Sequence, residues 1–161
     1  MHITRYTDYS LRVLIYLSLN TEKRSTIKDI AHSYGISKNH LMKVVHNLNK
    51  CGYIETLRGK KGGMRLSKKP ENINVGKLVL ELEPDFNLVE CFSHNGNCAI
   101  TPVCELKSIL GSALSEFIKK LSEYTLADVI VKGDEGKAAE ILGLSLDNDS
   151  DGKVIPISNV G

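Results

Sequence analysis

The sequence predicts a mainly α-helical protein with one small β-hairpin: a winged helix-turn-helix domain followed by a long dimerisation helix. Three observations carry this. Residues 27–48 place apolar and small residues at the spacing of two short helices joined by a glycine turn. Residues 53–67 read as two short strands around a basic, glycine-rich tip. From Leu106 to Tyr124 the apolar residues recur three and four apart over about five turns.

Residues 9–19 are apolar on nearly every side (Tyr9, Leu11, Val13, Leu14, Ile15, Tyr16, Leu17, Leu19), the pattern of a helix buried on more than one face. Next, Thr26 and Asp29 have the spacing of a capping box opening a short helix, and Gly35 can take the left-handed conformation that ends it. Ser37 is a suitable N-cap for a second helix through His40, Leu41, Val44, Val45 and Leu48, stopping at Gly52. Ile30, Ala31, Tyr34, Gly35, Ile36, Leu41 and Val44 then fall where a helix-turn-helix needs its close crossing, its turn and its shared core.

The strands 53–58 and 64–67 flank Gly59-Lys60-Lys61-Gly62-Gly63, a hairpin wing. Residues 58–69 carry Arg58, Lys60, Lys61, Arg65, Lys68 and Lys69 with no acid, and the glycines permit close approach of backbone to phosphate. A short helix is expected over 72–82, closed by Pro84. The apolar stripe from Leu106 through Ile109, Leu110, Ala113, Leu114, Phe117, Ile118 and Leu121 to Tyr124 is wider than one small domain can cover, which points to a dimer contact. The expected organisation is a DNA-binding domain over 1–82, a cysteine loop over 83–104, the dimerisation helix over 105–131 and a loose acidic tail over 132–161.

The formal charge of +2 hides a strong polarity. Residues 1–69 hold fourteen Lys and Arg against four Asp and Glu, whereas residues 70–161 hold seven against fifteen. A basic half of this kind suits a polyanion. Ser37, Asn39 and His40, at the start of the second helix of the motif, are placed for base edges. Lys38, Lys43, Lys60 and Lys61 are placed for phosphates, with Gly62 and Gly63 beside them and Arg58 directed at the minor groove. No apolar run reaches the roughly 20 residues of a membrane span and no secretory leader is recognisable, so a cytoplasmic protein is expected. The chain has no Gly-x-Gly-x-x-Gly fingerprint and no activated Ser/His/Asp set, which argues against an enzyme.

Four cysteines in a reducing compartment favour metal or redox chemistry over disulfides. Cys91, Cys98 and Cys104 lie in one segment with Gly96, Asn97 and Pro102, a loop able to curl around a bound centre. Three thiolates so spaced suit an iron-sulfur cluster completed by a fourth ligand from elsewhere. The spacing alone leaves zinc, a thiol switch and plain structural cysteines open, although zinc is less natural without a Cys-x-x-Cys pair. Cys51, at the end of the second helix of the motif, reads as a small buried hydrophobe, and His94 as an exposed loop imidazole able to ligate.

Residues 6–17 (Tyr-Thr-Asp-Tyr-Ser-Leu-Arg-Val-Leu-Ile-Tyr-Leu), 34–41 (Tyr-Gly-Ile-Ser-Lys-Asn-His-Leu), 58–63 (Arg-Gly-Lys-Lys-Gly-Gly) and 98–104 (Cys-Ala-Ile-Thr-Pro-Val-Cys) together resemble the NsrR-type nitric-oxide-sensing repressors, in the family that also contains IscR. The resemblance runs in order over residues 1–131. It implies a homodimer with one cluster per subunit, 4Fe-4S by this likeness and 2Fe-2S as the variant, bound by Cys91, Cys98 and Cys104. Asp8, supplied by the partner subunit, matches the fourth-ligand position. From the residues alone Asp8 is a helix-N-terminal carboxylate, and Arg12 one turn later can pair with it when no cluster is held. IscR-type proteins carry histidine where this chain has Lys107, a departure that favours the NsrR likeness. The function implied is a repressor that binds a near-palindromic operator and releases it when nitric oxide nitrosylates the cluster. A redox or iron-status regulator using a 2Fe-2S cluster or a thiol switch is the alternative within the class, and a small electron-transfer protein the alternative outside it.

Overall fold

A computed structural model describes residues 2–59, 62–93, 96 and 98–144 of the chain. The first helix, α1 (Arg5–Leu19), begins four residues before the apolar pattern does, because Thr4 caps it: the Thr4 side chain accepts a hydrogen bond from the Thr7 amide. Its long apolar run serves several neighbours at once. Val13, Leu14, Tyr16 and Leu17 are buried, as are Thr7 and Ser10. Ser10 is satisfied within the helix by donating to the Tyr6 carbonyl at 2.8 Å.

Helix α2 (Ile27–Tyr34) opens with the expected capping box, in which the Thr26 side chain accepts from the Asp29 amide and the Asp29 carboxylate accepts from the Thr26 amide. It ends at Gly35 with φ of 63°, the left-handed turn that lets α3 (Lys38–Lys50) start after Ser37. Ile30, Leu41, Val44 and Leu48 close the core against Val13, Leu14 and Leu17 of α1. Each fully buried aliphatic side chain of this group contributes about 1.5–3 kcal/mol. The wing follows as β1 (Ile54–Leu57) and β2 (Gly63–Leu66), paired antiparallel with Ile54 opposite Leu66 and Glu55 opposite Arg65. Met64 fastens it to the domain through a two-way backbone exchange with Ser25, at 3.0 and 2.8 Å.

A 3₁₀ turn leads into α4 (Val75–Leu82), capped by Asn74, whose carboxamide oxygen accepts from the Lys77 amide at 2.9 Å. The same Asn74 donates to the Ser122 carbonyl at 2.7 Å, at the end of α5 (Leu106–Ser122). The two helices meet backbone to backbone: a Cβ on Gly76 would stand 2.1 Å from Ser122 Oγ and 2.7 Å from the Ser122 nitrogen. Elsewhere α5 is only partly covered, with Leu110, Leu114, Phe117, Ile118 and Leu121 half-buried. None of its residues is buried, and Leu106 and Ile109 remain 49% and 62% exposed.

The segment expected to be a loose tail from residue 132 instead starts with helix α6 (Glu135–Ile141), which folds back on α1. Ala139 is 1% exposed, Leu142 and Leu144 lie against the core, and Ser33 of α2 donates to the Leu142 carbonyl at 2.6 Å. A run of small and aliphatic residues too short to show a periodic stripe finds its partner only in three dimensions. Residues 145–161 lie outside the described residues. Among the described residues no helix is long and apolar enough to cross a membrane.

Candidate nucleic-acid interface and cysteine loop

Helix α3 has one face for the core and one for solvent. Leu41, Val44, Val45 and Leu48 are buried, while Ser37, Lys38, Asn39, His40 and Lys43 are all exposed. Ser37 fixes the start of that exposed face, its hydroxyl accepting from the His40 amide at 3.5 Å. Between α1 and α3 opens a cleft of about 160 Å³ lined by Arg5, Tyr6, Tyr9, His40, Lys43 and Val44, so cationic groups from both helices converge there.

The wing is tied to the far end of this helix, where Asn49 donates to the Ile54 carbonyl at 3.2 Å. Arg58 is exposed where the tip begins, directly after β1. Gly62 donates to the Gly59 carbonyl at 2.8 Å, and a Cβ on Gly62 would come within 2.5 Å of the Leu57 carbonyl oxygen. Gly63, with φ of 148°, packs just as closely on Arg24 and Ser25. The glycines are thus demanded by the tight tip itself. Lys60 and Lys61 lie outside the described residues.

One wing cation is not available as the composition implied. Glu55 sits directly across from Arg65, and its carboxylate accepts from Arg65 Nε and, at 3.4 Å, from Arg24. Hydrogen bonding to Arg65 holds the Glu55 carboxyl below its ordinary range. The acid-free stretch 58–69 hid this neighbour because it lies on the opposite strand, although the cross-strand register would have exposed it.

The cysteine loop is built from short turns. Cys91 lies in a 3₁₀ turn (Glu90–Phe92), and Cys104 caps another (Thr101–Val103). Thr101 ties the second turn to Cys98, donating from both its amide and its hydroxyl to the Cys98 carbonyl at 3.1 and 2.8 Å. Gly96 folds over the first cysteine, where a Cβ would stand 2.5 Å from the Glu90 carbonyl oxygen and 2.9 Å from Cys91 Cα. All three thiols are free, with Cys91 and Cys104 half-buried and Cys98 exposed. His94 lies outside the described residues. Among the described residues no three His, Cys, Asp or Glu side chains converge closely enough to hold a metal ion. The donor chemistry nevertheless fits an iron-sulfur cluster: three soft thiol ligands on one curled loop, needing a fourth donor from another segment.

Asp8 lies in the first turn of α1, gripped by Arg12 through Nε to Oδ1 at 3.1 Å and a second nitrogen to Oδ2 at 2.9 Å. Its side chain is still 43% exposed. The Arg12 guanidinium also lies over the rings of Tyr9 and Tyr34, at 5.9 and 5.8 Å from their centroids. Burial pushes the Tyr34 hydroxyl up to about 12, against the opposing pull of Arg12. The two tyrosines were read as core residues; that Tyr9 stands one turn before Arg12 was the available signal of their second role. Cys51 caps the end of α3, half-buried against the core; burial, followed by the nearby Glu81 carboxylate, raises its thiol pKa and keeps it protonated. Lys107, in the first turn of α5, is exposed.

A family model named Rrf2, an iron-dependent transcriptional regulator, matches residues 3–132. The chain is 54% identical over 136 residues to the HTH-type transcriptional regulator NsrR of Bacillus licheniformis, spanning 83% of this chain and 95% of that protein. It is 53% identical over 132 residues to NsrR of Bacillus subtilis, spanning 81% and 90%. Among solved structures, CymR, the global cysteine regulator of B. subtilis, shares the fold with a TM-score of 0.64 at 24% identity, over 80% of this chain and 95% of that one. A helix-turn-helix with an exposed second helix, a glycine-tipped wing and relatives of this closeness have one reading: the chain belongs to the Rrf2 family of transcriptional regulators, where its similarity is to the NsrR members.

Proposed function

We propose that this regulator is a homodimeric, DNA-binding repressor that senses nitric oxide through an iron-sulfur cluster. The observation that carries the DNA half is the division of α3 into a buried aliphatic face and an exposed polar, cationic one. Ser37, Asn39 and His40 present hydrogen-bonding groups to base edges in the major groove. Lys38, Lys43, Lys60 and Lys61 neutralise phosphates, Gly62 and Gly63 bring the wing backbone close to the strand, and Arg58 enters the minor groove. The units that divide this work are the domain 1–82, the loop 83–104 and the helix 105–131. Two copies joined along the partly exposed apolar face of α5 would set two α3 helices on a near-palindromic site.

Cys91, Cys98 and Cys104 would hold the cluster, with Asp8 of the partner subunit as fourth ligand; the likeness to the NsrR members favours 4Fe-4S. Held by these residues, a cluster would supply iron able to react with nitric oxide. A carboxylate is a hard donor among soft thiolates, so Asp8 would be the weakest of the four holds. Once released, Asp8 has Arg12 waiting one turn away at 2.9 Å. Because Asp8 stands on α1, which packs on α3, its capture or release bears on the DNA-binding unit.

The test is anaerobic purification, iron and sulfide analysis, and operator binding followed against salt and nitric oxide. The expected result is about four irons per chain, a steep log-log salt dependence reflecting several phosphate contacts, loss of binding on nitric oxide addition, and loss of the cluster in Cys98→Ser. Two irons per chain would convert the reading to a 2Fe-2S regulator. Zinc in place of iron, or operator binding indifferent to nitric oxide, would overturn it.

A further inference from the structure

Arg24, Arg65 and Glu55 form a row across the outer face of the wing. Ser25 pairs antiparallel with Met64, which sets Arg24 opposite Arg65, and the hairpin register sets Arg65 opposite Glu55. Successive residues of a strand point to opposite faces. Ser25 and Met64 are 1% and 3% exposed, so the row beside them projects away from the core, and Arg65 and Glu55 keep 55% and 45% of their side chains in solvent. Gly63 makes room for the row, because a Cβ there would stand 2.9 Å from the Arg24 Cβ. A row built for stability alone would set unlike charges against each other at every step, since like charges directly opposite repel. Here two guanidiniums share one carboxylate: Glu55 Oε1 accepts from Arg65 Nε and, at 3.4 Å, from a terminal nitrogen of Arg24.

We propose that Arg24 and Arg65 form a phosphate-binding site for the DNA backbone on the outer face of the wing, with Glu55 as the positioning residue that holds them side by side. Arg65 is a held cation rather than a free one. Its contact with Glu55 uses Nε, and the fork of two terminal nitrogens is the part of a guanidinium that matches two oxygens of one phosphate. An arginine fixed before the phosphate arrives loses less side-chain freedom on binding than a loose one. The row keeps a positive excess, two guanidiniums against one carboxylate, so it attracts a polyanion even with Glu55 in place. This site rests on the reading of the chain as a DNA-binding regulator and adds to that reading a contact that carries no base sequence. Glu55 beside a DNA strand repels by charge and helps by alignment, so its two effects have opposite signs and separate in a variant.

The experiment titrates the full-length protein, purified anaerobically, with a duplex that the wild type selects from a random-sequence library, across a range of salt concentrations. Arg24→Gln and Arg65→Gln are each expected to make the log-log salt slope shallower by about one, and to weaken binding alike on the selected duplex and a scrambled one. Glu55→Ala is expected to weaken binding roughly 2- to 10-fold even though it removes a negative charge. Glu55→Gln, which keeps an acceptor oxygen, is expected to recover most of that loss. Circular dichroism verifies that each variant is folded, and a purely structural ion pair would leave the salt slope where it was. A wild-type slope in either arginine variant, or a loss confined to the selected duplex, overturns the site. Binding by Glu55→Ala as tight as the wild type or tighter overturns the positioning role. Failure of the wild-type protein to bind any duplex defeats the regulator reading and the site with it, whereas wild-type binding with unaffected arginine variants defeats the site alone.

Discussion

The winged-helix half and the loop-plus-α5 half of this chain are built on opposite terms. In the first, every helix is capped by its own neighbours and Leu14, Leu17, Ile30, Leu41 and Leu48 are at most 1% exposed. In the second, a 17-residue helix has no fully buried residue, and Ile100, Val103, Leu106 and Ile109 stay largely in solvent. Exposed apolar side chains gathered on one segment are the kind of surface that the proposed dimer would cover. The contrast teaches that one half closes its own core, while the other leaves apolar side chains in solvent, as the proposed dimer requires.

The sharpest way to break that contrast is to make the same kind of truncation on both sides. Leu41→Ala, in the closed half, is expected to lower unfolding stability by about 2–5 kcal/mol in urea titrations. Ile109→Ala, in the open half, is expected to change the stability of the isolated chain by no more than about 0.5 kcal/mol while weakening self-association in sedimentation equilibrium. Equal losses of stability at the two sites would show that α5 is part of the domain's own core.

A smaller effect probes the seam between the halves. Gly76→Ala puts a Cβ within 2.1 Å of Ser122 Oγ and 2.9 Å of the Ile118 carbonyl oxygen. The expected cost is about 1–3 kcal/mol of overpacking, with hydrogen exchange speeding up at the end of α5 before it does in α3. Uniform acceleration would mean that the seam is not the weak boundary.

The smallest effect concerns the wing. Hydrogen bonding to Arg65, followed by the charges of Arg65 and Arg24, holds Glu55 below its usual value of 4.5. A carboxylate with a depressed folded-state pKa stabilises fully above its unfolded value and loses that contribution as pH falls through the folded one. Glu55→Gln should therefore flatten the dependence of Tm on pH below 4.5 and leave it unaltered near neutrality. Because the group is exposed, solvent screening keeps the difference slight. Identical acid profiles for the two proteins would show that the pair contributes nothing.

How far the sequence could be read tracks how local each interaction is. The capping box at Thr26 and Asp29, the left-handed Gly35 and the Ser37 cap are short-range rules, and all three stand where they were expected. The wing strands and the stripe of α5 follow from period alone. The start of α1 came out late because Thr4 is an N-cap with no apolar pattern around it. The candidate site was legible as residue types and not as a constellation: the exposed ends of α3 and the three free thiols could be named, but not Glu55 across from Arg65, nor the stack of Arg12 between two tyrosines.

By itself, then, the sequence determined the helix-turn-helix, the hairpin and the cysteine loop, because caps, glycine turns and hydrophobic periods act over a few residues and need no distant partner. Only the tertiary structure decided that residues 135–144 fold back on α1 and α2 through Ala139 and the Ser33–Leu142 bond, that Leu106 and Ile109 of α5 stay in solvent, and that Arg12 stacks on both Tyr9 and Tyr34. Those outcomes depend on which surfaces meet across long stretches of chain, and side-chain packing settles that only once the local elements are in place.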